Sequence, residues 1–256
     1  MLIAIDIGNS SITIGYFLDT GLDLQRISTH PSKGADEYRL LLISYMKENK
    51  IAKSACNGII SSVVPGLTEV FRDVLEGLSG EGKVDILVVN SAISGIGFRI
   101  PFPEQLGTDR IANAVAAFSL FKRPVAVIDF GSATTITVVD RQGYYIGGSI
   151  MPGIGLMNES LATKTSKLNK VELTKPGSVL GRDTTGCILT GLVIGTAGAV
   201  ERIIEEMEAE TGLIFNTILT GGYCTLIDNF IRRPHMMNSD LTLEGLKILY
   251  EKNRPQ

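Results

Sequence analysis

Histidine is scarce in this chain of 256 residues, and its scarcity limits the chemistry that a catalytic site could use. His30 and His235 are its two histidines. A Ser-His-Asp triad or a histidine-rich metal site needs imidazole groups in set positions, and two distant histidines give little support to either. We therefore expect catalysis here to depend on other side chains.

Cysteine, long apolar runs and excess positive charge are also missing. Cys56, Cys187 and Cys224 form no CxxC pair, so they favour small buried residues in a reducing compartment over functional thiols. No uninterrupted apolar run reaches the ~18 residues of a membrane span, and no basic region of a targeting signal precedes the first strand. A net charge of −3 offers no basic surplus for nucleic acid. These absences predict a cytoplasmic protein with neither a membrane nor a nucleic-acid partner.

Glycine is abundant, at 28 of 256 residues, or about 11% against a usual ~7%. The glycines are spread through the chain in short motifs, between segments whose patterns alternate between strand and helix. That alternation predicts an α/β fold. The predicted strands are 2–8, 11–17, 22–28, 58–64, 84–89, 125–131, 133–140, 144–151 and 215–220. The predicted helices are 36–50, 65–78, 108–121, 185–211 and 241–251, with two helices flanking a polar stretch near 164–178.

An internal repeat divides the chain. The segments LIAIDIGNSSITI and VAVIDFGSATTIT align Asp6 with Asp129 and Gly8 with Gly131, each pair 123 residues apart. Each half thus begins with a strand, an Asp-x-Gly turn and a second strand. Chance likeness of two apolar strands is the alternative to duplication, which we favour because the polar run after each glycine also matches. We predict an N-terminal domain over 1–115 and a C-terminal domain over 116–256, with both turns in one cleft.

The two turns have the chemistry of a phosphate site. A turn after a strand exposes backbone N–H groups, and glycine lets an anion approach them closely. A carboxylate beside them repels phosphate unless a cation intervenes, so Asp6 and Asp129 suggest Mg²⁺ and a nucleotide. That combination is typical of phosphoryl transfer.

Two other nucleotide motifs are rejected. Gly77–Lys83 has Walker A spacing, but the next residue is Val84 rather than Ser or Thr, and a strand follows where a helix is required. No GxGxxG follows a predicted strand, so a Rossmann site has no support.

Four further glycine motifs remain, and three of them have two interpretations each. In Gly107-Thr108-Asp109-Arg110, Asp109 is either an ordinary helix N-terminus or a general base beside a cation for an anionic substrate. Residues 147–153 form either a bulge and turn or a pocket wall. Residues 220–222 follow a strand and open a helix, where a nucleotide could bind, but a lone tripeptide is a weak signal. The helical glycines 191, 195 and 198 each cost about 1 kcal/mol of helix propensity, which suggests close packing within the chain or across a dimer.

Taken in order, these motifs resemble those of the type III pantothenate kinases, in the actin-like and sugar-kinase superfamily. The resemblance runs nearly end to end. The matching segments are Asp6–Ser10, Ser61–Pro65, Gly107–Arg110, Asp129–Thr135, Gly148–Gly153, Gly181–Thr184 and Thr220–Gly222.

The resemblance implies a duplicated ribonuclease H-like fold with a nucleotide cleft between its two domains, and ATP-dependent phosphorylation of pantothenate to 4′-phosphopantothenate, the first step of coenzyme A synthesis. It also implies a homodimer, Mg²⁺ and a monovalent cation, K⁺ or NH₄⁺. Asp109 would be the general base, Arg110 would pair with the pantothenate carboxylate, and Asp6 would act at the ATP phosphates with Mg²⁺. Asp129 would lie near the monovalent cation, and Thr184 would reach the partner subunit's pocket. The implied ATP contacts are Asp6, Gly8, Asn9, Ser10, Ser132 and Thr134, and the implied substrate contacts are Ile100, Gly107, Thr108, Asp109, Arg110 and Thr184.

Four positions depart from the family's usual pattern. Ile100 stands where tyrosine is usual, which removes a hydroxyl from the implied pantothenate site. Ser10 and Ser132 replace threonine, and Asp183 replaces asparagine. A kinase for another small hydroxyl compound and a non-catalytic accessory or binding protein of the same family are the alternative functions. Retention of Asp6, Asp109 and Asp129 argues against the second.

Overall fold

The structure, a computed structural model, describes residues 1–51, 56–78 and 84–254. The rejected Walker-like segment therefore lies partly outside the described residues. The described chain forms two compact units. The first comprises Met1–Ile96, Pro101–Ala116 and Leu241–Gln256, and the second comprises Gly97–Ile100 and Ala117–Asp240.

Strands and helices alternate as the sequence predicts. The strands are β1 Leu2–Ile7, β2 Ser11–Leu18, β3 Gly21–Ser28, β4 Asn57–Ser62, β5 Ile86–Val88, β6 Gly97–Phe98, β7 Val125–Phe130, β8 Ala133–Val139, β9 Tyr144–Pro152, β10 Asn216–Thr220 and β11 His235–Met237. The helices are α1 Ala35–Glu48, α2 Pro65–Leu78, α3 Thr108–Phe121, α4 Ile154–Lys164, α5 Thr184–Leu189, α6 Gly195–Thr211, α7 Cys224–Ile227 and α8 Leu241–Asn253. The α/β fold class is confirmed.

The two units repeat one strand order, which confirms the duplication. In the first sheet the order is β3-β2-β1-β4-β5, with β1, β2 and β3 antiparallel and β4 and β5 parallel to β1. In the second sheet β9-β8-β7-β10-β11 has the same directions. The second sheet adds β6, which pairs in parallel with β9. The sequence analysis missed β6, because two residues carry no readable periodicity.

Each unit has its own apolar core. Central strands β1 and β7 are buried on both faces, which explains their near-continuous apolar sequences. In the first unit α1 and α2 cover the sheet, and Tyr38 and Phe71 pack with ring centroids 4.7 Å apart. Burial of each such large side chain contributes roughly 1.5–3 kcal/mol.

The C-terminal helix α8 packs within the first unit. A Cβ at Gly245 would collide with the backbone of Ala112 on α3, so the glycine permits this close approach. Leu246 and Leu249 of α8 are fully buried. The compact units are therefore discontinuous in sequence, whereas a division into functional domains at 1–115 and 116–256 stays a prediction.

The long helix predicted over 185–211 contains an interruption. A π-helical turn, Thr190–Ile194, joins α5 to α6 without ending the helix. A Cβ at Gly191, Gly195 or Gly198 would meet nothing within 4 Å. Close packing of these glycines within the described chain, one of the two alternatives, is therefore wrong.

This same helix is long and apolar. By length and composition Thr184–Thr211 could cross a membrane, although 44% of its most apolar window is buried in the protein. Its buried face includes Val193, Ala197 and Val200, which belong to the second core. A partly buried core helix passes the same test of length and composition.

Candidate active site

The first Asp-x-Gly turn joins β1 to β2, and the residue that follows β3 hydrogen-bonds to it. The backbone N–H of Gly8 donates to the carbonyl of Ser11 at 3.0 Å, which closes a tight turn over Asn9 and Ser10. Thr29 lies just past the end of β3 and is fully buried. Its hydroxyl donates to the Gly8 carbonyl at 2.7 Å, and its backbone N–H donates to the Ser10 carbonyl at 3.2 Å. Two carbonyl oxygens of the turn thus accept hydrogen bonds from Thr29, within the first unit.

Asp6 lies beside a serine of the neighbouring parallel strand. The register of β1 and β4 places Asp6 opposite Ser61, at the carboxyl ends of both strands. Ligands of open α/β sheets bind at these strand ends. Ser61 Oγ donates to Asp6 Oδ1 at 2.9 Å and lies 3.0 Å from Thr108 Oγ1, at the start of α3. The same Thr108 oxygen accepts from the backbone N–H of Ser62 at 2.9 Å.

The residue after Thr108 is the predicted base. Asp109 is half-buried, and its Oδ1 accepts the backbone N–H of Arg110 at 2.8 Å. Burial raises the pKa of the Asp109 carboxyl above its usual range, although the amide and charge of Arg110 act to lower it. A Cβ at Gly107 would crowd Asp109 Oδ1 at 2.5 Å, so glycine leaves room for the carboxylate. The structure thus places the predicted substrate motif and Asp6 in one hydrogen-bonded group.

In the second unit, glycine motifs distant in sequence meet at Asp129. A Cβ at Gly131 would lie 3.3 Å from Asp129 Oδ1, and a Cβ at Gly221 would collide with the same oxygen. Gly221 also has a positive φ of 93°, which glycine adopts without strain. The N–H of Gly153 donates to the Ser132 carbonyl at 3.1 Å. Motifs predicted separately therefore converge on the second Asp-x-Gly turn.

The two aspartates occupy equivalent positions. Asp129 on β7 pairs with Thr220 on the parallel strand β10, as Asp6 pairs with Ser61. Each carboxylate thus has a hydroxyl-bearing residue at the end of its parallel neighbour. The predicted single cleft that holds both turns stays a prediction, since each turn belongs to its own unit.

The carboxylates fit a cation bound mainly through phosphates. Residues 1–51, 56–78 and 84–254 contain no group of three or more His, Cys, Asp or Glu side chains that could hold a metal ion alone. Mg²⁺ is commonly held by one or two carboxylates together with substrate phosphates and water. Asp6, fixed by Ser61, is suited to that arrangement. Gly131 and Gly221 leave room beside Asp129 Oδ1, because a Cβ at either position would lie against that oxygen. A role for Asp129 at a monovalent cation stays a prediction.

The remaining predicted residues are placed as follows. Ile100 is half-buried just after β6, Thr184 is exposed at the start of α5, and Asn9 and Ser10 are exposed in the first turn. Thr134 is 1% exposed, and its hydroxyl has no hydrogen-bond partner among the described residues. Their contacts with ATP or substrate stay predictions.

Asp183 has a structural role that the sequence analysis left open. Its Oδ1 accepts the N–H of Gly186 at 2.7 Å, so it caps the helix that begins at Thr184. Aspartate and asparagine are both good N-caps. The departure from the family's usual asparagine therefore preserves the cap.

Sequence reasoning missed two residues of this site, Thr29 and the role of Ser61. Thr29 follows the alternating strand β3, and Ser61 lies near the end of the apolar strand β4. A polar residue at a strand end suggests a function. The bulge in the first interpretation of residues 147–153 is confirmed at the start of the segment, because β8 and β9 shift register between Val138 and Val139, and Gly147 has a φ of 147°. The residues that follow continue in β9. Their role as a pocket wall stays a prediction.

Comparison with known proteins gives a consistent result. The family model for type III pantothenate kinase matches residues 2–206. A type III pantothenate kinase of Roseiflexus sp. strain RS-1 is 40% identical over 257 residues, which are 99% of this chain and all of the relative. The enzyme of that name from Brevibacillus brevis is 38% identical over 260 residues, with 99% and 100% coverage.

Among solved structures, an inorganic polyphosphate/ATP-glucomannokinase from Arthrobacter sp. strain KM matches 98% of this chain and 99% of its own. The TM-score is 0.51 at 16% identity, so the likeness concerns the fold alone. It agrees with the duplicated α/β fold that the repeated sheet order indicates. With a family model over most of its length and full-length relatives near 40% identity, the chain belongs to the type III pantothenate kinase family.

Proposed function

We propose that this protein transfers the γ-phosphoryl group of ATP to pantothenate, forming 4′-phosphopantothenate in the first step of coenzyme A synthesis. One observation carries the proposal beyond family membership. The carboxylate of Asp109 sits at the start of α3, one residue from Thr108, which is joined through Ser61 to Asp6 of the phosphate turn. The proposed base therefore follows directly in the chain after a hydroxyl that is linked, through Ser61, to the proposed phosphate-site carboxylate.

Asp109 is the general base. It accepts the proton of the pantothenate hydroxyl as that oxygen attacks the γ-phosphorus, and the bond from phosphorus to the bridging oxygen of ADP breaks. A raised pKa strengthens the carboxylate as a proton acceptor, since the best base has a pKa near the working pH. Arg110 binds the pantothenate carboxylate by charge.

The phosphates are held by backbone and cations. The turn Gly8–Ser10 supplies N–H groups, and Asp6 would hold Mg²⁺, which would neutralise phosphate charge when bound. Asp129 would hold K⁺ or NH₄⁺ beside the second turn, where Ser132 and Thr134 would contact ATP. Ile100, Gly107 and Thr108 border pantothenate.

A kinase assay tests the proposal. Purified protein with ATP, Mg²⁺ and pantothenate should release ADP and form phosphopantothenate, faster with K⁺ than with Na⁺. Asp109→Asn should lower kcat by about 10²–10⁴ with the fold intact. Asp73→Asn, which removes an exposed carboxylate on α2, is the control. Absence of product with wild-type protein, and turnover of another small hydroxyl compound instead, would overturn the assignment of the substrate.

We also propose a homodimer built on the long helix. The exposed glycines 191, 195 and 198 lie three and four residues apart, along one side of a helix whose apolar surface is only partly covered. A second copy of the helix could approach them closely. Thr184 begins the same helix, which supports its proposed role at the partner's site. We expect the enzyme in the cytoplasm, with ATP.

The dimer is tested by a substitution that spares the monomer. Gly195→Leu has open space around its Cβ and replaces glycine with a better helix former, so the single chain should fold at least as well. Light scattering should give twice the chain mass for wild type and the chain mass for the variant. Gly66→Ala on α2, also in open space, is the control. A dimeric Gly195→Leu protein would contradict the proposal.

A further inference from the structure

Ser61 is the meeting point of two motifs that are far apart in sequence. Its hydroxyl bonds Asp6, 55 residues away, and contacts Thr108, 47 residues away. The first belongs to the predicted phosphate motif and the second to the predicted substrate motif. Ser61 touches both and belongs to neither.

The hydroxyl has no alternative partner in solvent, because Ser61 is fully buried. A buried hydroxyl that loses its partner keeps the desolvation cost without the bond. Replacement of Asp6 or Thr108 would therefore leave the Ser61 hydroxyl short of a hydrogen-bond partner. Replacement of Ser61 would remove a hydrogen-bond partner from both Asp6 and Thr108.

Proton positions give the contacts a direction. An ionised carboxylate only accepts, so the single Ser61 proton points to Asp6. The Ser61 oxygen is then an acceptor, and the Thr108 hydroxyl can donate to it. Thr108 Oγ1 in turn accepts the Ser62 N–H at 2.9 Å. Its single proton has two acceptors within reach, Ser61 Oγ at 3.0 Å and the Ser62 carbonyl oxygen at 3.2 Å between oxygens, and the shorter contact is to Ser61. The result is a chain of donors that ends on Asp6, and such chains strengthen their members.

We infer that Ser61 is a positioning residue that couples nucleotide binding to pantothenate binding by tying Asp6 to the start of α3. The inference rests on the proposed function. A shift of Thr108 carries Asp109 with it, because the two are adjacent in the first turn of the helix. Displacement of a catalytic group by about 1 Å can cost 10²-fold in rate. Asp6, held by the same hydroxyl, orients the phosphate end of the reaction.

Ser61→Ala removes the hydroxyl and adds no atoms. We expect the KM for ATP and the KM for pantothenate both to rise, each by roughly 10-fold, the size expected for loss of a hydrogen bond to a charged group. Ser61→Thr keeps the hydroxyl and should restore both values to within a few fold. Ser94→Ala is the matched control, since Ser94 is also buried in the first unit and donates one bond, to the Ile96 carbonyl at 2.8 Å.

A double-variant cycle tests the coupling itself. Thr108→Val breaks the chain one step earlier, so Ser61→Ala combined with Thr108→Val should cost little more than the worse single variant. Fully additive effects, or a change in one KM alone, would overturn the inference. A purely structural serine would lower the melting temperature and leave both KM values unchanged.

Failure of the inference is separable from failure of the proposed function. If wild-type protein makes no phosphopantothenate, the function is wrong, and titration calorimetry with a non-hydrolysable ATP analogue still tests Ser61→Ala. Analogue affinity should then fall by about 10-fold relative to wild type and Ser94→Ala. Unchanged affinity would overturn the role of Ser61.

Discussion

Thr29 donates its hydroxyl to the carbonyl oxygen of Gly8 at 2.7 Å, and its backbone N–H to the carbonyl of Ser10 at 3.2 Å. Phosphate is attracted by N–H groups and repelled by carbonyl oxygens. By engaging two carbonyls of the turn, Thr29 fixes the backbone orientation that an anion site requires. Its position past β3 explains how a third strand contributes to a turn between the first two.

Thr29→Val, which keeps the side-chain shape, should raise the KM for ATP by about 5-fold, the equivalent of one neutral hydrogen bond. The KM for pantothenate should change less, and Thr29→Ser should restore the hydroxyl and the KM. Steady-state kinetics with each substrate varied measure both. Thr163→Val, which removes an exposed hydroxyl bonded to Glu159 on α4, is the control. An unchanged KM for ATP in Thr29→Val would contradict this role.

Asp109 should make stability depend on pH in a definite direction. Burial raises its pKa in the folded state above 3.8, so the folded protein holds the proton more tightly than the unfolded chain. The free energy of unfolding therefore falls as the pH rises from 3.8 through the raised pKa, and the loss persists at higher pH. Asp109→Asn lacks this term and should be the more stable protein at neutral pH.

Urea unfolding of the wild type, Asp109→Asn and Asp73→Asn between about pH 4 and about pH 8 measures the effect. The advantage of Asp109→Asn should grow with pH over this window, while Asp73→Asn follows the wild type. If the free energy of unfolding varies with pH in the same way for the wild type and Asp109→Asn, burial of the Asp109 carboxylate does not lower stability as the pH rises.

The pair Arg99 and Asp140 should hold β6 on the second sheet. Arg99 Nη1 lies 2.7 Å from Asp140 Oδ2, with side chains 53% and 5% exposed. Asp140 Oδ1 also accepts backbone N–H groups of Gln142 and Tyr144. Arg99→Met leaves a buried carboxylate without its cation and should cost about 2 kcal/mol, less than a fully buried pair because Arg99 is half exposed.

Asp140→Asn keeps an acceptor for the two backbone groups and leaves an arginine that water can solvate, so it should cost less, about 1 kcal/mol. Denaturant midpoints of both single variants and the double variant give the pair's coupling. If Arg99→Met lowers the free energy of unfolding no more than Asp140→Asn does, Arg99 does not act by stabilising the buried carboxylate of Asp140.

Gly221→Ala should change the K⁺ dependence that we propose for the site at Asp129. Gly221→Ala would force a Cβ against the Asp129 carboxylate at a φ of 93°, so K⁺ activation should need about 10-fold more K⁺. Gly212→Ala is the matched control, because it has a φ of 66° and nothing within 4 Å of its Cβ. Backbone strain should cost Gly212→Ala about 1 kcal/mol of stability. Gly221→Ala should lose more, because its Cβ would also lie 2.6 Å from the backbone of Phe130, and denaturant midpoints would measure the difference.

Activity titrated with K⁺ separates the two variants. Loss of K⁺ response in Gly221→Ala alone would match the proposed site. An equal response in both variants would show that strain, and not contact with Asp129, is responsible.

Much of the site could be predicted because its signals are local. The apolar runs ending at Asp6 and Asp129, each followed by glycine and hydroxyl residues, identify strand–turn–strand units without knowledge of neighbours. Helix α3, with Thr108 and Asp109 in its first turn, was predicted over its exact range. The strand β5 was predicted too long, since only Ile86–Val88 pairs with β4.

The sequence by itself determined the duplicated α/β pattern and the positions of the carboxylates, because periodicity, glycines and strand ends are properties of neighbouring residues. Only the tertiary structure decided which distant residues meet. It placed Ser61 between Asp6 and Thr108, brought Gly221 to Asp129, and packed α8 into the first unit. Such contacts depend on strand register and packed cores, and a single sequence carries no local signal of either.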